Sequence, residues 1–104
     1  MIDELLQQDR ELTRARINSE TARIPWQELQ RFFAAGKVLH VHAELDLVEV
    51  ACALHEDDVE RVRNWTDAAL LGPIADEQAR AWLDSEATLW AVVVKPWVLV
   101  QESG

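Results

Sequence analysis

The chain has 104 residues, 49% of them apolar, and nineteen acidic side chains against ten basic ones give a formal charge of −9. That size and apolar content suffice for one domain with its own core, and the acidity repels phosphate backbones and anionic lipid headgroups, so neither a nucleic-acid nor a membrane partner is expected. The single cysteine, Cys52, has no internal disulfide partner. The acidic start at residues 1–4 is unlike a secretory signal, and the longest apolar run, 89–94, falls far short of the roughly 18 to 20 residues that cross a bilayer. A cytoplasmic location is expected.

Residues 3–22 carry Leu5, Leu6, Leu12 and Ala15 among charged and amide side chains, a sparse helical stripe that needs packing partners to be stable. Pro25 stands at the first turn of a second helix, whose Trp26, Leu29, Phe32 and Phe33 recur at helical spacing until Gly36 stops it. From Lys37 the pattern turns to β. Val38, Leu39 and Val41, a loop at 43–46 and the apolar run 47–54 predict a β-hairpin.

Asp57 and Glu60 form a capping-box pattern that opens a helix with Val59, Val62, Trp65 and Ala69 on one face, closed by Gly72 and Pro73. Asp76 then caps a short helix with Ala79, Trp82 and Leu83 inward, ending near Ser85. Residues 88–101 return to β, interrupted by Pro96, which donates nothing to a ladder. A two-residue turn at Lys95 and Pro96 is disfavoured because such turns want positive φ, so one long strand bent near Pro96 is predicted. The predicted order is α-α-β-β-α-α-β, an α+β domain with a small three-stranded sheet, antiparallel or mixed, and two helix pairs.

The stretches IPWQELQRFFAAGK at 24–37, LDLVEVACAL at 45–54, EDDVERV at 56–62 and LWAVVVKPWVLVQ at 89–101 resemble an uncharacterised bacterial family of small proteins, known only as a domain of unknown function. The resemblance covers the chain from about Leu12 onward, and its most specific marker is the C-terminal strand with its proline and tryptophan. It implies a compact bacterial domain and carries over no activity, cofactor or catalytic residue.

Four groups of side chains are candidates for function. His40 and His42 are two apart in a predicted strand and share a face, and His55 lies at the far end of its predicted partner. With Glu44 or Glu56 they would offer nitrogen and oxygen ligands to zinc or another divalent ion, although the spacing matches no zinc signature and the solvent side of a half-buried strand gives the same alternation. The acidic run Glu56, Asp57, Asp58 and Glu60 is accounted for by helix capping, and Cys52 by core packing. Arg10, Arg14, Arg16 and Arg23 are the local basic density; Arg10 and Arg14 share a helical face that would suit an anionic partner or the acidic part of a second copy, diluted by interleaved acids.

Of the five tryptophans, Trp26, Trp65 and Trp82 fall on the apolar faces of helices. Trp90 and Trp97 instead flank Pro96, where an edge or bulge would present an indole to a partner. The reading that follows is a non-enzymatic protein-interaction module without a cofactor, contacting another protein or pairing as a homodimer through the terminal strand at Trp90, Pro96 and Trp97. The alternative is a divalent-metal or small-ligand site at His40, His42 and His55, and a third idea is an acidic decoy for a basic partner.

Overall fold

A computed structural model describes residues 2–103. The elements are α1 (Ile2–Glu20), β1 (Ala22–Pro25), α2 (Trp26–Ala34), β2 (Val38–Val41), α3 (Leu47–His55), α4 (Val59–Asp67), β3 (Leu71–Pro73), α5 (Asp76–Asp84), β4 (Thr88–Val94) and β5 (Trp97–Glu102). The strands form one mixed sheet in the order β1-β4-β5-β2-β3, with β5 and β2 parallel and every other pair antiparallel. The α+β class is as the sequence predicts, but five strands stand where three were expected.

Both faces of the sheet are covered, because its central strands are apolar on nearly every position. On one face α2 and α5 bring Trp26, Leu29, Ala79 and Trp82 onto Val38, Leu89, Ala91, Val98 and Val100. On the other, Ile17 of α1 and Leu47, Val50 and Ala51 of α3 pack on Val41, Leu71, Val92 and Leu99, with Val62 and Trp65 of α4 at the margin. The central strand β5 thus has a neighbour on each edge and cover on each side.

Two predicted elements are corrected, and two strands are added to those predicted. Residues 47–54 are a helix and not the second strand of a hairpin. Short apolar runs satisfy both periods, and the start signal decides: the Asp46 carboxylate accepts hydrogen bonds from the backbone N–H of Val48 at 2.9 Å and of Glu49 at 3.4 Å, closing a first helical turn. Leu47, Val50 and Ala51, spaced i, i+3 and i+4, then face the sheet.

The predicted single C-terminal strand is a hairpin, β4 against β5, with Val94 opposite Trp97. Its turn holds Lys95 and Pro96 joined by a cis peptide, and a turn with cis proline at its third position reverses the chain without the positive φ expected of hairpins. Two strands escape the sequence pattern altogether. β1 and β3 are the sheet's borders, three or four residues long, each ending in proline, and an edge strand so short shows no alternation.

Helix starts shift by a residue. Asp58, and not Asp57, caps α4 by accepting from the Arg61 N–H at 3.3 Å, while Asp57 takes a left-handed φ of 58°, a conformation aspartate tolerates better than most. Asp76 is the first residue of α5 and supports it as a first-turn acid, with Ala75 at the cap. Leu83, expected inward, is 45% exposed.

α1 is the outlier in packing. Between Gln8 and Glu20 only Ile17 is buried, Thr13 is half-buried, and the other side chains are exposed. The radius of gyration of 14.4 Å exceeds the about 13 Å expected of a compact domain this size, and the long dimension is 53 Å against 28 and 25 Å. Among the described residues no helix is long and apolar enough to cross a membrane.

Candidate functional site

The three histidines do not converge. His40, half-buried on β2, directs Nε2 to Glu102 Oε1 at 2.8 Å and sets its ring edge-on to Trp82 at 5.5 Å. His42 lies one residue beyond the end of β2; its Nδ1 accepts a hydrogen bond from the Glu44 N–H at 3.1 Å, so that nitrogen is unprotonated while the bond stands. His40 and His42 line one cleft of about 320 Å³ with Leu70, Leu71 and Thr66.

His55 lies elsewhere, at the C-terminal end of α3, exposed beside Asp9, Arg10 and Thr13 of α1. The predicted pairing of strands that would have joined it to the other two does not exist, because 47–54 is helical. Among the described residues no three histidine, cysteine or acidic side chains are grouped to hold a metal ion. Of the acids offered as completing ligands, Glu56 lies with His55 and Glu44 follows His42 in the loop.

Cys52 is half-buried on α3, and burial pushes its thiol above the ordinary value, opposed by the nearby Arg14 charge. A thiol held protonated is a poor nucleophile. Arg61 of α4 pairs with Glu49 of α3 and lays its guanidinium over Trp65 at 4.9 Å, a contact that ties the two helices together.

The C-terminal aromatics diverge in the same way. Trp97 is half-buried on the face that α1, α3 and α4 cover, and Pro96 is exposed at the hairpin tip. Trp90 stays open at 39% exposure, with Arg23 of β1 opposite it and the Arg23 guanidinium 5.9 Å from its ring centre. Val93, further along β4, is 54% exposed.

Trp90 borders a groove of about 550 Å³ whose other walls are Asn18 and Thr21 at the end of α1, Leu45 and Leu47, and Gln101. The loop that forms one wall is fixed by Gln101, whose amide Nε2 donates to the His42 carbonyl at 3.0 Å and the Leu45 carbonyl at 2.7 Å. Arg14 of α1 reaches Asp46 at 3.5 Å from the other side. Sequence spacing singles out Trp90 but not these partners. The one signal in the sequence is an amide, Gln101, directly after the apolar run 97–100 of β5, since a half-buried amide needs hydrogen-bond partners.

These features define a small α+β domain, a mixed sheet between two helical layers, with a surface groove beside a partly exposed tryptophan. The chain belongs to the family described as "Protein of unknown function (DUF2288)", whose model matches residues 12–102. It is similar to a bacterial protein of known structure, PA1075 from Pseudomonas aeruginosa, solved by NMR in solution, at 48% identity over 89% of this chain and 86% of that one, with a TM-score of 0.78. Among curated proteins none matches.

Proposed function

We propose that this protein is a non-enzymatic interaction module that associates with a second copy of itself through the surface beside its C-terminal hairpin. The observation that carries the reading is Trp90, a large aromatic left 39% exposed in a groove. Tryptophan is among the residues most enriched where interfaces concentrate their binding energy, and a groove gives it a pocket to share with a partner. Because β5 lies inside the sheet, association by adding strands to β5 is closed off. The contact surface is instead the side of the hairpin next to α1.

Sedimentation equilibrium of the full chain from low to high micromolar concentration tests this. The mass is expected to rise from one protomer toward two, and Trp90→Ala to move that rise to higher concentration. A single-protomer mass at the highest concentration for the unaltered chain overturns the reading.

A second reading, small-ligand binding, is supported by His40 and His42 lining one cleft. With His55 elsewhere it retains only two imidazoles, fewer than a stable zinc site uses. Zinc titration followed by the imidazole proton resonances decides it: shifts confined to His40 and His42 support it, and unchanged spectra remove it.

A further inference from the structure

We infer that two copies pair through antiparallel contact of their α1 helices, with Leu12 of each seated against Ala15 of the other; this rests on the self-association proposed above. The helix has two unlike sides. Thr13 and Ile17 turn toward the protein's own body, whereas Gln8, Leu12, Ala15 and Ser19 are exposed, Leu12 at 70%. These four follow the three-four spacing of a coiled-coil seam, and Leu5 precedes Leu12 by one heptad in the sequence. One buried side chain in the described part of α1 is slender anchorage, since helices in water draw most of their stability from a packed face.

Charge selects the occupant. Flanking the seam on one side are Asp9 and Arg16, opposite in sign and one heptad apart. Antiparallel packing that places Leu12 over the partner's Ala15, and Gln8 beside the partner's Ser19, brings Asp9 alongside the partner's Arg16. The two-fold axis makes that ion pair twice, and a large residue faces a small one in both central layers. A surface that complements itself in shape and sign calls for no other partner. Among the described residues of one chain Arg16 pairs with Glu20, at 4.0 Å with both side chains exposed, a contact too weak to compete. Asn18 at the end of the helix also walls the Trp90 groove, so the partner helix runs out toward Trp90.

Sedimentation of the full chain with Leu12→Asp, Asp9→Arg, Arg16→Glu and the double variant D9R/R16E provides the test. Leu12→Asp is expected to weaken dimerisation at least about tenfold, since it places charge in the seam. Asp9→Arg and Arg16→Glu should each weaken it by roughly three- to tenfold at low salt, and the double variant should restore it. All three substituted positions are exposed, and unchanged thermal unfolding of the dilute variants verifies that the fold is intact. A dimer indifferent to Leu12→Asp overturns the α1 contact while leaving self-association standing. Failure of the double variant to restore pairing overturns the antiparallel register. If the unaltered chain is monomeric, both proposals fall together.

Discussion

Replacing Trp26 with alanine is expected to lower the unfolding free energy by about 3–5 kcal/mol, read from urea denaturation at constant m. Trp26 is 1% exposed at the start of α2 and meets Trp82 edge-on at 5.1 Å and Phe33 at 5.5 Å. It is the piece that joins α2 to α5 and both to the sheet, and its truncation leaves a cavity that two short helices cannot close. Its buried indole N–H makes no hydrogen bond among the described residues, so the loss is one of packing and area. Trp26→Phe should therefore cost markedly less than Trp26→Ala. Against a total stability of about 5–15 kcal/mol the alanine variant sits near the edge of folding. A loss below about 1 kcal/mol would show that this layer is not the packed core described.

Leu99→Ala is the matching test of the opposite face, with an expected loss of about 2–5 kcal/mol in the same measurement. Leu99 is fully buried in β5, flanked by Val92 on β4 and Leu39 on β2, and roofed by α1 and α3. A strand held on both edges cannot move to fill the void, so the cavity persists. Leu83→Ala supplies the contrast: at 45% exposure on α5 it should change stability by no more than about 0.5 kcal/mol, although helical spacing alone places Leu83 with Trp82 in the core. Equal losses at Leu83 and Leu99 would contradict the two-layer arrangement.

Much of the fold was legible where local chemistry and burial agree. The α2 stripe of Trp26 and Leu29, the strand at Val38–Val41 and the helix containing Trp82 lie where their periodicities put them. The run 47–54 reads equally as strand or helix, because it is apolar on almost every position and neither period stands out. Its correct reading hangs on one carboxylate, that of Asp46, whose capping role is invisible until the helix exists. The expected grouping of His55 with His40 and His42 depends on a strand pairing that a helix over 47–55 does not make, so His55 lies apart from the other two.

The candidate surface was legible only in part. Trp90 and Trp97 are alike in sequence, each an aromatic near Pro96, yet one is exposed and the other half-buried. The difference arises because Trp97 lies by the hairpin turn on a covered face, whereas Trp90 lies where α1 ends and the chain passes into β1, leaving a gap in the cover. Composition and local pattern by themselves determined the class, the acidity, the helices with clear caps or stripes, and the demand for cover on the terminal β segment. Tertiary structure alone decided the short border strands, the hairpin, and which aromatic, histidine and helix face is left to solvent, because exposure is set by what long-range packing places on top of a residue.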